Sequence, residues 1–212
     1  MNNYNRFRYI YPPRPESTIP PNGLEYFNSD NYIAQPKLNG SSMELYTDGK
    51  HIITMNRHKQ VMSHKLDVQE LKNLHRGNGW MVLCGEYMNK KQRDEKNEYW
   101  NIKFVIWDIL VFEGEHLLKS TFLDRENLLK KLYKTKFSKL YLDDISENCF
   151  RVKSFYDHKW KLKDIYDSVS KIEMYEGLVL KKKDGKLENG IRPNNNSMTQ
   201  IKCRKPTKNY AF

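Results

Sequence analysis

The segment KFVIWDILVF, at residues 103–112, constrains the fold of this chain more than any other part of its sequence. Apolar side chains follow one another through it with hardly any polar alternation. Such a run is typical of a β-strand covered on both faces, because a strand with one solvated face alternates apolar and polar residues. We therefore expect a central strand here, with other parts of the chain packed on either side.

Further extended segments and a few helices accompany this strand. The sequence pattern predicts strands at residues 32–38, 41–47, 51–57, 80–88, 149–155, 176–182 and 199–205, and helices at residues 66–76, 122–133 and 159–172. Asp48-Gly49 separates two of the strands and is a strong hairpin signal, and Ser120 or Thr121 can cap the second helix. Hairpins together with β-α-β steps indicate an α+β fold of antiparallel sheets flanked by helices.

The domain organisation is simple. Residues 1–30 are rich in Pro and Asn and are predicted to form an irregular lead-in with turns. No internal repeat and no linker divides the rest, so we expect one domain over residues 1–212. A chain of this length buries about 70% of its unfolded surface and needs no disulfides to hold a core.

The composition excludes several classes of protein. The 14 Tyr, 9 Phe and 4 Trp exclude wholesale disorder. The sequence has no apolar run of the length of a transmembrane helix, and its N-terminus lacks the apolar core of a signal peptide. Cys84, Cys149 and Cys203 form no Cys-x-x-Cys pair, so we expect neither a zinc site nor a disulfide framework. These features favour a reducing, cytoplasmic setting without a membrane.

The charge of the chain indicates a polyanionic partner, with nucleic acid the first candidate. The net charge is +11 and the pI is about 9.4. Residues 181–212 hold nine basic and two acidic residues, so this segment alone carries +7. Phosphate-binding surfaces concentrate charge in this way, because each neutralised phosphate releases counterions. A basic protein that is merely soluble is the alternative that charge alone leaves open.

Six short motifs follow one another along the chain. They are PKLNG at 36–40, NR at 56–57, LCGEYM at 83–88, FVIWDIL at 104–110, EGLVLKK at 176–182 and QIKCRKP at 200–206. Their order and spacing resemble those of the covalent nucleotidyltransferase superfamily, which contains ATP-dependent DNA ligases, RNA ligases and mRNA capping enzymes. TFLDRENLL at 121–129 is similar to the Phe-x-x-Arg helix start of many DNA ligases. The resemblance covers about residues 30–206.

The resemblance implies that Lys37 is the nucleophile of a covalent reaction. A lysine amine attacks phosphorus only after it has lost its proton, which neighbouring cations and a dry pocket favour. Gly40 lets the backbone approach a phosphate closely. Lys202 and Arg204 match the last motif of the family and would hold the α-phosphate. Arg57 matches an arginine that touches the nucleotide or the 5′-phosphate.

The remaining assignments concern the nucleobase and the metal. The resemblance gives Glu86 to the ribose or the water shell of a metal, and Glu176 to the divalent metal itself, Mg²⁺ or Mn²⁺. It places Trp107 against the purine base, and Gln35 could contact the adenine edge. Taken singly, such residues are usually a solvated lysine, solubilising carboxylates and a packed core tryptophan. The order of the motifs favours the functional interpretation.

Some positions depart from the common family pattern. DNA ligases and capping enzymes usually have Lys-x-Asp-Gly-x-Arg, where this chain has KLNGSS at 37–42. A Ser directly after the glycine is more like RNA ligases, whereas GEYM, WDIL and FLDR are more like DNA ligases. The usual Lys-x-Lys of the last motif is Lys202-Cys203-Arg204, which keeps the charge and changes its geometry.

The resemblance leads to an expected function. We expect a minimal, adenylation-domain-only ligase without a C-terminal OB-fold, or one whose protein partner supplies the function of that fold. ATP is expected as the adenylate donor and nicked duplex DNA as the favoured substrate of a monomeric, cytoplasmic enzyme of phage-like character. The alternatives are an RNA ligase that acts on RNA ends or RNA/DNA hybrids, and a catalytically inactive nucleic-acid-binding module.

Overall fold

The structure is a computed structural model that describes residues 9, 11–27, 31–135, 138–155, 161–188, 190 and 196–206. Its strands are β1 (Arg14–Thr18), β2 (Tyr32–Leu38), β3 (Ser41–Thr47), β4 (Ile52–Asn56), β5 (Met81–Met88), β6 (Gln92–Arg93), β7 (Tyr99–Trp100), β8 (Lys103–Phe112), β9 (Glu115–His116), β10 (Leu142–Asp144), β11 (Cys149–Val152), β12 (Tyr175–Lys182) and β13 (Asn196–Arg204). Its helices are α1 (Val68–Lys72), α2 (Phe122–Leu132) and α3 (Leu162–Val169), with a 3₁₀-helix at Pro21–Phe27.

The strands form two main sheets and a small hairpin. The first sheet has the order β1-β13-β12-β2, and the second has the order β10-β11-β8-β5-β3-β4 with β9 beside β8. Strands β6 and β7 form the hairpin. The pairing is antiparallel except between β1 and β13 and between β11 and β8. The α+β class with mainly antiparallel sheets is thus confirmed.

Strand β8 lies inside the second sheet, between β5 and β11. Phe104, Ile106 and Ile109 pack into one apolar cluster, whereas Val105 and Leu110 belong to two others. All five side chains are buried. The prediction of a central strand covered on both faces is therefore confirmed.

Helix α2 begins where its capping residue predicts. The Thr121 side chain accepts a hydrogen bond from the Asp124 backbone N–H, and the Asp124 carboxylate accepts one from the Thr121 backbone N–H, which is a capping box. Helix α1 is shorter than the predicted helix at 66–76. Asp67 caps its first turn and the helix ends before Asn73, so its apolar residues pack from the flanking turns as well.

The prediction for residues 1–30 was wrong in the part that the structure describes. Residues 14–18 form an edge strand and residues 21–27 a 3₁₀-helix. An edge strand accepts proline because its outer N–H groups need no partner, and a parallel pairing with β13 leaves no local signal in the sequence. Residues 1–8, 10 and 28–30 of this lead-in lie outside the described residues.

Two further elements are shorter than predicted. Strand β11 ends at Val152 instead of residue 155, and α3 covers Leu162–Val169 of the predicted 159–172, of which 159–160 lie outside the described residues. Arg192 and Lys208 of the predicted basic segment also lie outside them. Cys84, Cys149 and Cys203 are buried free thiols. No helix in the described residues combines the length and apolar character needed to cross a membrane.

The two sheets share an apolar core that fixes their relative position. Leu178 and Leu180 of the first sheet pack in one cluster with Val105 and Phe150 of the second. Helix α3 covers the same cluster with buried apolar side chains, among them Ile165. The other face of the first sheet is therefore free to line a cavity.

Candidate active site

A cavity of about 530 Å³ lies between the two sheets, a size typical of small-molecule sites. The structure brings every residue that the sequence singled out to this cavity. Its lining includes Gln35, Lys37, Gly40, Arg57, Glu86, Trp107, Glu176, Lys202 and Arg204. The residues come from β2, β12 and β13 on one side, and from β5, β8 and the turns after β2 and β4 on the other.

Strand register explains how distant residues meet in the first sheet. Gly177 of β12 pairs with Lys37 on one side and with Arg204 on the other. Alternate residues of a strand share a face, so the next row on that face contains Gln35, Val179 and Lys202. Four predicted side chains are thus aligned by two rows of a single sheet.

Gly177 accounts for the Glu-Gly pair of the motif. Its φ is +131°, a conformation that side chains rarely adopt, and a Cβ here would lie 2.1 Å from the Cys203 carbonyl oxygen. The register shifts between Tyr175 and Gly177, which places Glu176 in an irregular step of the strand. Any side chain at position 177 would clash with β13, so glycine is required for β2, β12 and β13 to pair next to Glu176.

The Lys37 amine is held by Glu176. Its Nζ donates to Glu176 Oε2 at 2.6 Å, and Arg204 Nε lies 3.4 Å from the same oxygen. The Lys37 and Glu176 side chains are only partly buried. A partly exposed ion pair adds little to stability, so this contact positions the amine more than it supports the fold.

Glu86 faces this pair from β5 on the opposite wall. Its Oε1 accepts a hydrogen bond of 3.1 Å from the Gly40 backbone N–H. Burial raises the pKa of Glu86 to about 7, even though the Lys37 charge and the Gly40 N–H favour its ionised form. A Cβ on Gly40 would lie 2.5 Å from the Tyr87 carbonyl oxygen, so the close turn requires glycine.

The two carboxylates fit a divalent cation only together with other ligands. The described residues contain no group of three or more His, Cys, Asp or Glu side chains that could hold a metal. Mg²⁺ commonly takes one or two carboxylates and completes its shell with water and phosphate oxygens. Glu86 and Glu176 therefore fit Mg²⁺ or Mn²⁺ that arrives with a polyphosphate.

Trp107 and Gln35 form the other end of the cavity. The Gln35 amide nitrogen donates to Ser154 Oγ at 3.0 Å and lies 3.5 Å from the Trp107 carbonyl oxygen. A backbone carbonyl can only accept, so this contact assigns the amide orientation. The Trp107 side chain packs against two apolar clusters and also lines the cavity, so it serves the core and the site together.

Lys181 is a cavity residue that the sequence analysis did not single out. Its buried amine donates to the Trp107 carbonyl oxygen at 3.4 Å and lies 4.8 Å from the centroid of the Trp107 ring. Burial lowers the pKa of Lys181 to about 8, even though the negative charge of Asp108 favours the protonated amine. The signal that could have found it is the period of two, because Gly177, Val179 and Lys181 share one face of β12.

Asp108 belongs to the scaffold behind the site. Arg125 of α2 donates to both of its carboxylate oxygens, at 2.8 and 3.0 Å, and both side chains are buried. Burial alone would raise the Asp108 pKa, but the guanidinium holds it below its ordinary value. This pair explains the Phe-x-x-Arg pattern, since Arg125 fastens α2 to the strand that carries Trp107.

The mouth of the cavity is basic. Arg57 lies on the exposed turn after β4, where its Nε donates to His58 Nε2 at 3.1 Å. Lys202 is partly buried, and burial together with the nearby charges of Arg204, Arg14 and Lys37 lowers its pKa.

Among the lining residues that sequence analysis missed are Arg14, Ser42, His58 and Gln200. Arg14 had no local signal, because its strand pairs with residues far along the chain.

Comparison with protein families identifies the chain. The RNA ligase family model matches residues 30–197, which is most of the sequence. A search of curated protein sequences gives no match. The family match spans five of the six sequence motifs.

Solved structures with the same fold are ligase domains. The ligase domain of M. tuberculosis LigD is 15% identical with a TM-score of 0.60, and the alignment covers 92% of this chain and 60% of that one. Mycobacterial DNA ligase D complexed with ATP and MES is 15% identical with a TM-score of 0.60, covering 93% and 62%. A Lig E DNA ligase is 16% identical with a TM-score of 0.56, covering 94% and 69%.

This chain spans about three fifths of the first two structures. At such identities the likeness shows the fold, which is that of the ligase nucleotidyltransferase domain. The described residues contain no OB-fold. With a family model that matches most of its length, the chain belongs to the RNA ligase family.

Proposed function

We propose that residues 1–212 form a single catalytic domain that acts as an ATP-dependent polynucleotide ligase. In this proposal Lys37 carries AMP and the enzyme joins a 5′-phosphate to a 3′-hydroxyl. The observation that carries it is the Lys37 amine, which lies in the cavity 2.6 Å from Glu176 and in register with Arg204 across Gly177. A protein that only bound nucleic acid would have no use for this arrangement.

The first step is attack of Lys37 Nζ on the α-phosphorus of ATP. A phosphorus–nitrogen bond forms, the bond to the bridging oxygen breaks, and pyrophosphate leaves with the electron pair. Glu176 Oε2 already accepts a hydrogen bond from Nζ, so it is placed to accept the proton that leaves the amine. Lys202 and Arg204 offset the negative charge that develops on the phosphate. A divalent cation held by Glu86 and Glu176 would neutralise further phosphate charge.

The far end of the cavity is suited to adenine. The Trp107 ring provides a surface for stacking. Because the Gln35 nitrogen is engaged by protein acceptors, its carbonyl oxygen is the atom left to accept from the adenine amino group. Guanine presents an oxygen at that position, so the site should prefer ATP to GTP.

After adenylation, AMP passes to a 5′-phosphate end, and a 3′-hydroxyl then displaces it. We favour nicked duplex DNA as the substrate, because the GEYM, WDIL and FLDR motifs are like those of DNA ligases and the matching structures are described as DNA ligases. RNA ends or RNA/DNA hybrids are the second candidate, supported by the RNA ligase family model and by Ser41 directly after Gly40.

The proposed enzyme is a cytoplasmic monomer that grips nucleic acid with its basic face. Residues 182–206, a range that leaves out the buried Lys181, carry seven Lys and Arg against two acidic residues. Binding through such a face releases counterions, so affinity should fall steeply as salt is added. A protein partner that supplies an OB-fold would reduce this salt dependence.

The deciding experiment is intact-mass spectrometry of the protein with ATP and Mg²⁺ or Mn²⁺. We expect a gain of one AMP that pyrophosphate reverses and that Lys37→Ala abolishes. Lys50→Ala, which removes an exposed lysine outside the cavity, should label like the wild type. Absence of the adduct in the wild type, or its persistence in Lys37→Ala, would contradict the proposal.

A second measurement separates DNA from RNA. Nicked duplexes that differ only in the sugar on each side of the break are sealed by the adenylated protein. Faster sealing of the all-DNA nick is expected. Faster sealing of nicks with ribose ends would favour the RNA alternative instead.

A further inference from the structure

The outer edge of β2 has a neighbour at the end of the cavity that the proposed function assigns to adenine. Strand β2 is the last strand of the first sheet, and after β11 the chain crosses from the second sheet to this edge. Ala34 and Phe155 meet there in an antiparallel bridge and exchange two backbone hydrogen bonds, both of 2.9 Å. This short contact joins the two sheets beside Gln35.

The bridge places Ser154 directly opposite Gln35. In antiparallel pairing, the residue after Ala34 faces the residue before Phe155. Ala34 and Phe155 form a hydrogen-bonded pair, so Gln35 and Ser154 form the next, non-hydrogen-bonded pair, in which side chains come closest. The Gln35 amide nitrogen accordingly donates to Ser154 Oγ at 3.0 Å, and Gln35 is only 2% exposed. Strand pairing therefore fixes this side-chain contact.

Ser154 is the nearer of two acceptors for the Gln35 amide. The other is the Trp107 carbonyl oxygen at 3.5 Å, which also accepts from Lys181 Nζ at 3.4 Å. Both of these contacts are long, because N–H···O hydrogen bonds usually measure 2.7–3.2 Å. The Ser154 hydroxyl is therefore the group that decides which way the Gln35 amide faces.

Glu126 favours the acceptor role of Ser154. A hydroxyl can donate as well as accept, whereas an ionised carboxylate only accepts. Burial raises the pKa of Glu126, while Arg151 and the Ser154 hydroxyl favour its ionised form. Arg151 donates to Glu126 Oε1 at 2.9 Å. When the Ser154 hydroxyl donates to this carboxylate, its lone pairs are left to accept from Gln35.

We propose that Ser154 is a positioning residue that sets the preference of the site for ATP over GTP. This inference rests on the proposed function, in which Gln35 Oε1 accepts from the adenine amino group. Ser154 turns the amide nitrogen of Gln35 away from the base, so that the oxygen faces it. Guanine carries an oxygen where adenine has the amino group, and two facing acceptors repel each other. Without the Ser154 hydroxyl, the amide can turn over and donate to guanine.

The test compares adenylation of Lys37 by ATP and by GTP. The single variants are Ser154→Ala, Ser154→Thr, which keeps the hydroxyl, and the control Ser63→Ala, which changes an exposed serine outside the cavity. Ser154→Ala is also combined with Gln35→Met, which has no amide to orient. The KM and the maximal adenylation rate are measured for each nucleotide, and urea unfolding checks that all variants are folded.

We expect Ser154→Ala to lower the ratio of ATP efficiency to GTP efficiency by about 3- to 10-fold, the usual effect of one hydrogen bond. The change should come from a higher KM for ATP and a lower KM for GTP, with maximal rates within about twofold of wild type. Ser154→Thr should keep most of the ratio, and Ser63→Ala all of it. In the Gln35→Met protein, Ser154→Ala should change the ratio no further.

A ratio that does not fall in Ser154→Ala would overturn the inference, and an equal loss with both nucleotides would mean a purely structural role. A further fall in the Gln35→Met protein would also overturn it, since Ser154 would then act without Gln35. A wild type that uses GTP as well as ATP would contradict the inference together with the adenine assignment. If the wild type forms no adduct with either nucleotide, the proposed function itself fails, and the inference fails with it.

Discussion

Two ion pairs in this protein, each between a carboxylate and a cation, serve different purposes. Asp108 and Arg125 join a strand to a helix, with both carboxylate oxygens bonded and side-chain exposures of 0% and 2%. Lys37 and Glu176 join two neighbouring strands of the first sheet at the wall of the cavity, with exposures of 21% and 28% and a second cation, Arg204, close to the same carboxylate. The first pair is closed to solvent and complete. The second is open and can exchange partners when a ligand binds.

The difference shows where stability and chemistry reside. A buried, bidentate pair leaves an uncompensated charge if one partner is removed. An open pair loses little, because water replaces the missing partner. We therefore expect the scaffold behind Trp107 to be sensitive to charge removal, and the residues proposed to be catalytic to be dispensable for folding.

The largest effect should come from breaking the closed pair. Arg125→Ala should lower the free energy of unfolding by about 3–5 kcal/mol, because Asp108 is then left buried and unpaired. Lys37→Ala, the matched change in the open pair, should lower it by less than about 1 kcal/mol while abolishing AMP transfer. Urea unfolding of both variants measures the contrast. Equal destabilisation would remove the distinction between the two pairs.

Around the open pair, the stability of the fold should depend on the backbone at Gly177 more than on the charges of Lys37 and Glu176. Gly177→Ala should destabilise the protein by about 3 kcal/mol, because the residue has a φ of +131° and a Cβ would meet the Cys203 carbonyl. Gly23→Ala is the control, since a Cβ there makes only ordinary contacts. Thermal unfolding compares them. A Gly177→Ala protein as stable as Gly23→Ala would show that the strands can make room for a side chain at position 177 without loss of stability.

Glu86, on the opposite wall of the cavity, should make the free energy of unfolding depend on pH. The folded protein binds the Glu86 proton more tightly than the unfolded chain does, because burial raises its pKa from 4.5 to about 7. The resulting stabilisation is complete below pH 4.5 and is lost as the pH rises through 7. Glu86→Gln cannot ionise and should gain about 1–3 kcal/mol relative to wild type between pH 5 and pH 8. Urea unfolding in chelator measures this gain, and a constant difference across that range would refute it.

The smallest effect should come from exchanging the cation of the open pair. Arg204→Lys, which restores the usual Lys-x-Lys motif, should change the adenylation rate by only about two- to fivefold, because Arg204 Nε lies 3.4 Å from Glu176 Oε2, a long contact that an ammonium group can replace. Arg125→Lys cannot reproduce two parallel bonds and should lower the melting temperature clearly. Adenylation rates and thermal unfolding give the two results. A severe loss of adenylation in Arg204→Lys would mean that its guanidinium geometry is required.

Local patterns predicted most of the elements that hold the site. The apolar run of β8, the Thr121 cap of α2 and the strand around Lys37 all have causes within a few residues of themselves. The nine site residues that were chosen from the ordered motifs all line one cavity. Their individual roles stay predictions, since position alone does not assign a chemical step.

One element that the sequence did not predict depends on long-range pairing. Strand β1 forms only because β13 offers it an edge, so neither its existence nor the position of Arg14 has a local cause. Lys181 was overlooked because a lysine in a basic segment is usually solvated, whereas here the aromatic rings of Trp107 and Phe122 enclose its amine. The extent of α1 was overestimated because buried leucines on a turn and on a helix have the same spacing.

The pairing of β1 with β13 also bears on the order in which the candidate site can form. One of these strands begins at residue 14 and the other ends at residue 204, so closing the first sheet joins segments separated by nearly the whole chain. Such contacts are expected to form late, because the entropy cost of closing a long loop comes before the contacts can stabilise the chain. A ribosome-bound chain that has already exposed Lys37 still lacks Glu176, Lys202 and Arg204. Lys37 therefore cannot meet Glu176, Lys202 and Arg204 until the strands that carry them have joined the first sheet.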